Sequence, residues 1–89
     1  MFIVTEDIIK KVIIESRGII SEDSSFHYYQ DEITQLRIIK YELLGSEILV
    51  KCFYGIDGED GYDRLANLRI NLLDYISFIY NDLNQNKDE

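Results

Sequence analysis

His27 is the sole histidine of the chain, and Ser24 and Ser25 stand directly before it. A nucleophilic serine needs a base within hydrogen-bond reach and a carboxylate that orients the base, and no surrounding pattern supplies that arrangement. An ordinary, partly exposed His27 is expected. Cys52, the sole cysteine, lies between Val50 and Phe53 in an apolar run, where a packed thiol is expected and a nucleophile is not. One cysteine can form neither an internal disulfide nor a four-cysteine zinc site, which favours a reducing compartment.

The run Asp57-Gly58-Glu59-Asp60-Gly61-Tyr62-Asp63 is rich enough in carboxylates to invite a calcium reading. An EF-hand loop counted from Asp57 would need Gly at its sixth place and Glu at its twelfth. Tyr62 and Leu68 hold those places, so the motif is absent. Gly55, Gly58 and Gly61 match neither the P-loop nor the dinucleotide fingerprint. Paired carboxylates abound here, but without an expected cleft their presence says nothing about acid–base catalysis. The expectation is a non-enzyme with no cofactor and no metal.

The acids are informative as a distribution. The 89 residues carry a formal charge of −8. Residues 18–36 hold Glu22, Asp23, Asp31 and Glu32 with no base, and residues 52–63 hold Asp57, Glu59, Asp60 and Asp63 with no base. Acids and bases nearly cancel elsewhere, so these two segments account for the net charge. Direct binding to DNA or RNA needs a basic footprint and is disfavoured.

The positions of those segments follow from the elements between them. Thr5 to Arg17 has a capping Thr, acids in its first turn, and Ile8, Ile9, Val12 and Ile13 at helical spacing, which predicts a short helix. Residues 18–32 are polar and turn-like, with Phe26-His27-Tyr28-Tyr29 as the one stretch of strand-forming character. Residues 33–44 and 48–54 are strand formers on either side of Gly45-Ser46, which predicts a β-hairpin. Ile38-Ile39 interrupt the alternation, so a bulge is expected there. Gly55 to Gly61 reads as a loop, and residues 63–84 as a long helix with Leu65, Leu68, Leu72, Ile76, Ile79 and Leu83 in one stripe. Ile70, Leu73 and Tyr80 widen that stripe. The extra width serves either burial on two sides or self-association of two copies.

The expected fold class is α+β: an N-terminal helix, an antiparallel hairpin with a third short strand as an open alternative, and a long C-terminal helix packed on the sheet. Residues 1–84 read as one domain and 85–89 as a frayed tail. The chain begins without a basic leader region, and no apolar stretch approaches the ~18 residues of a spanning helix. A soluble, cytoplasmic protein with no membrane partner is expected.

The order of elements, with Thr5-Glu6-Asp7-Ile8-Ile9 opening the first helix and Ile33-Thr34-Gln35-Leu36 opening the hairpin, resembles the small acidic Cas9-inhibiting anti-CRISPR proteins of Listeria prophages. That resemblance implies an α+β monomer whose acidic surface occupies the site where Cas9 grips duplex DNA. The chain departs from that family in its last third, where residues 64–81 carry only Asp74 as an acid.

An antiparallel hairpin brings the start of its first strand beside the end of its second, so both acidic segments are expected at one end, opposite Gly45-Ser46. Acidic loops are often no more than solvated. Concentrated on one surface, they can also steer docking and fill Arg and Lys positions that normally hold phosphates. Tyr28, Tyr29, Tyr54 and Tyr62 lie in or beside these segments as contact anchors. The leading expectation is a DNA-mimic-like inhibitor that binds a basic, nucleic-acid-binding protein through Glu22, Asp23, Tyr28, Tyr29, Asp31, Glu32, Asp57, Glu59, Asp60, Tyr62 and Asp63. The alternatives are a homodimer joined through Ile70, Leu73 and Tyr80, and an immunity-type or antitoxin-type neutraliser.

Overall fold

The computed structural model describes residues 4–16, 19–22, 25–61 and 63–87, with side-chain burial as far as Asn81. The order is α1 (Glu6–Glu15), β1 (Ile19–Ser21), α2 (Ser25–Tyr29), a 3-10 turn (Gln30–Glu32), β2 (Ile33–Leu44), β3 (Glu47–Ile56), β4 (Arg64–Asn71) and α3 (Leu72–Lys87). The class is α+β. The four strands form one antiparallel sheet in the order β1-β4-β3-β2.

β3 sets the two faces. Ile48, Val50, Cys52, Tyr54 and Ile56 are buried, while Glu47, Leu49, Lys51 and Phe53 alternate to the other side. The period of two is that of a strand with one face in a core. On the inner face Ala66, Leu68 and Ile70 of β4 pair with Cys52, Val50 and Ile48. Helix α1 adds Ile9, Val12 and Ile13 to this core, α2 adds Phe26, and α3 adds Tyr75. Burial holds the Cys52 thiol up at about 11.

The hairpin stands where it is expected, and Gly45, at φ +63, occupies the first of its two turn positions, as a type II′ turn requires. The register shift between Ile38 and Lys40 confirms the bulge and shows its purpose. Without the extra residue Lys40 would pair with Val50 on the buried face. With it, Lys40 pairs with Lys51 on the open face, and Tyr41 and Leu43 regain the inner side.

Helix α1 also stands as expected, with the Thr5 hydroxyl accepting from the Ile8 N–H at 3.3 Å. Its far end is satisfied by a side chain distant in sequence. The buried Gln30 carboxamide donates to the Ile13 and Ser16 carbonyls, each at 2.7 Å.

Two expectations need correction. Phe26 to Gln30 is no strand: α2 and the 3-10 turn occupy it, because Phe26 must turn inward to meet Tyr54 edge-on at 5.5 Å. A short β1 lies before it. The reading of residues 63–84 as one helix fails at its first third, where β4 alternates Ala66, Leu68 and Ile70 inward against Leu65, Asn67 and Arg69 outward. The chain passes from strand to helix without Gly or Pro. The Asn71 side chain makes the junction by accepting from the Leu73 and Asp74 N–H groups at 2.9 and 3.3 Å. Among the described residues no helix is long and apolar enough to cross a membrane.

Leu68→Ala is expected to cost ~2–5 kcal/mol in urea unfolding and Leu65→Ala less than about 1, a split that a shared helical stripe would not give. Gln30→Ala leaves two carbonyls without their donor and is expected to cost ~1–3 kcal/mol in the same measurement. Burial favours the neutral Cys52 thiol in the folded state, so its contribution is complete below pH 9 and is lost as pH rises through about 11. Cys52→Ala should flatten that part of the stability–pH curve.

Candidate protein-binding surface

The acids gather where the β2–β3 ladder ends. Ile33 pairs with Ile56, and one residue further out the Asp57 N–H donates to the Glu32 carbonyl at 2.8 Å. Asp31 and Glu32, on the 3-10 turn, therefore lie beside Asp57, which opens the β3–β4 loop. The loop first folds back at Ile56–Glu59, where the Glu59 N–H reaches the Ile56 carbonyl at 3.2 Å. Gly58, at φ +90, takes the third position of that turn, where a positive φ is required. Asp57, Glu59, Asp60 and Asp63 are all exposed, as are Asp31 and Glu32. Six carboxylates from two distant parts of the chain thus share one end of the sheet, opposite Gly45-Ser46.

Among the described residues one base enters this surface. Arg64, the first residue of β4, grips Glu59 with two hydrogen bonds of 2.9 and 2.7 Å, and its guanidinium sits 4.5 Å from the centre of the Tyr29 ring. The hydrogen bond from Arg64 holds the Glu59 carboxyl below the usual carboxylate range, and the same contact pushes the Arg64 guanidinium further up. The chain Tyr29–Arg64–Glu59 also clamps α2 to the loop. Tyr28 packs edge-on against Tyr29 at 4.8 Å and is itself 77% exposed, beside the acids.

Not every expected residue joins. Glu22 lies on the open face of the sheet, past the end of β1, where its N–H reaches the Asn67 carbonyl at 3.3 Å. There it lines a shallow groove of about 390 Å³ with Lys40, Glu42, Lys51, Asn67 and Arg69. It is separated from the anionic end by the length of β4 between Asn67 and Arg64. Asp23 and Tyr62 lie outside the described residues. Tyr54 is buried against Phe26 and offers no contact. Ile70 is 1% exposed on the inner face of β4, so it cannot belong to a dimer surface with Leu73 and Tyr80, which are exposed on α3. Arg64 was missed from sequence because a pairing five residues apart across a glycine loop has no periodic signature.

His27 is exposed on α2 with its ring edge-on to Phe26. Among the described residues no group of three or more His, Cys, Asp or Glu side chains is placed to hold a metal ion. No family model, characterised protein or solved structure matches the chain.

The Glu59 carboxyl, followed by NMR, should titrate below the other exposed carboxyls. Arg64→Ala should return it to the ordinary range. An unchanged titration would mean that the clamp does not form in solution.

Proposed function

We propose that the chain is a protein-binding inhibitor whose anionic end occupies a basic, nucleic-acid-binding groove of its partner. The observation that carries this reading is the juxtaposition of Asp31 and Glu32 with Asp57, Glu59, Asp60 and Asp63 through the Asp57–Glu32 backbone bond. Like charges held together oppose folding, and dispersed acids would serve solubility equally well. A concentrated surface does something that dispersed acids do not. It accelerates encounter with a positive groove and sets carboxylates against Arg and Lys side chains that otherwise hold phosphates.

Two features fit a docking role. The Asp57–Glu32 backbone bond and the Arg64 clamp on Glu59 tie the 3-10 turn and the first half of the loop to the sheet, which lowers the freedom that binding removes there. Tyr28 supplies an exposed aromatic beside them, of the kind that anchors interfaces. The resemblance to Cas9-inhibiting anti-CRISPR proteins points to one such partner, with the DNA-gripping groove of a Cas9–guide RNA complex as the finer form of the proposal.

The test is affinity capture from bacterial lysate at low and high salt, about 50 and about 500 mM, with identification of what is retained. Nucleic-acid-binding proteins are expected at low salt and are expected to elute at high salt. Joint reversal of Asp57, Glu59 and Asp60 to Lys should weaken retention at least ~10-fold while the circular dichroism spectrum stays unchanged. Retention of the same partners by the triply reversed chain would refute the anionic-end reading. Competition with target DNA for a purified Cas9–guide RNA complex tests the finer form.

A further inference from the structure

We infer that the open face of the sheet is the contact between two copies of this chain. The helices cover one face of the sheet; the other presents Glu47, Leu49, Lys51 and Phe53 of β3 between Asn71, Arg69, Asn67 and Leu65 of β4 on one side and Leu44, Glu42, Lys40 and Arg37 of β2 on the other. Ile20 and Glu22 follow along the far edge. Apolar side chains are interspersed across it: Ile20, Leu44 and Leu65 are 50%, 63% and 45% exposed, and Leu49 and Phe53 are half-buried.

Charge identifies the occupant. The face carries Arg37, Lys40, Lys51 and Arg69 against Glu22, Glu42 and Glu47, a sum of +1 in a chain of −8. Everything outside it therefore sums to −9, so two copies meeting through this face bring less like charge together than two copies meeting through their anionic ends. Lys40 and Lys51 are direct cross-strand neighbours, an arrangement that destabilises a sheet, and among the described residues neither has an ion-pair partner. A second copy supplies an acid to Lys40 and a carboxamide oxygen to Lys51.

The register shows how. A two-fold axis lying along the strands between β3 and β4 exchanges β3 with β4 and β1 with β2 of the facing sheet. It sets Glu22 of each copy against Lys40 of the other, Asn67 against Lys51, and Phe53 against Leu65, each twice, as an isologous contact requires. Three strands of eight to twelve residues make the face, on the order of 500 Å² per copy at strand spacings, so a pair removes on the order of 1,000 Å², the lower bound for a stable interface. The same axis leaves both anionic ends at one pole, at a Coulomb cost that salt screens.

Sedimentation equilibrium of the full chain is expected to show a monomer–dimer equilibrium below about 100 µM. Lys40→Glu and Glu22→Lys are each expected to raise its dissociation constant on the order of tenfold or more, and the double variant to restore it, because each swap repairs the other. Leu65→Glu, at an exposed position of the monomer, should also abolish dimerisation and leave the fold intact. A chain that stays monomeric throughout overturns the inference. So does a dimer indifferent to these substitutions, which would be joined through α3 or the edge of β2, or a double variant no tighter than the singles.

Discussion

Everything in this molecule depends on the pairing of β2 with β3, and above all on the alternation of β3. Burying Ile48, Val50, Cys52, Tyr54 and Ile56 commits Glu47, Leu49, Lys51 and Phe53 to the opposite side, and a slip of one residue would invert both sets. The bulge at Ile39 extends that commitment to β2, which could not otherwise keep both Ile38 inside and Lys40 outside. At its far end the ladder closes with the Asp57–Glu32 bond, and that closure joins the two acidic segments. Core, open face and anionic end are therefore consequences of one register.

The two surfaces differ in kind because their supports differ. The anionic end is made of a loop and a short turn, where side chains face water on most sides and charge can accumulate. Its one cation among the described residues, Arg64, is already spent on Glu59 and stacked on Tyr29, so it stiffens the surface more than it neutralises it. The open face is made of strands, where cross-strand neighbours are fixed and charges of both signs must be interleaved with apolar groups. In the proposed roles one surface meets a basic partner and the other a second copy, and the two share no residues.

The hairpin, the bulge and α1 were legible in the sequence because their signals are local: a two-residue turn with Gly45, a broken alternation at Ile38-Ile39, a capping Thr5 before Glu6 and Asp7. The position of four loop acids opposite the hairpin turn followed from them. The residues from 63 onward were misread because Leu65, Leu68 and Leu72 fit a helical period as well as Ala66, Leu68 and Ile70 fit a strand period. Tertiary pairing with β3 decides between them. Asn71 with Asp74 three residues on was the available sign that a helix starts there, and it lay inside an apolar run that obscured it. β1 and the Gln30 bonds to α1 were not legible at all, since three residues have no period and a buried amide finds its carbonyls only in the folded chain. Glu22 was misplaced for the same reason: its position is set by β1.

The most direct measurement is hydrogen exchange of the Asp57 amide, resolved by NMR. That amide sits at the start of an exposed acidic loop, and its bond to the Glu32 carbonyl is what unites the two acidic segments. The account predicts slow exchange, with protection close to that of the β2–β3 ladder amides that precede it. Exchange at the rate of an open chain would mean that the ladder ends short of Ile33, and that the acids of residues 31–32 and 57–63 do not form one surface.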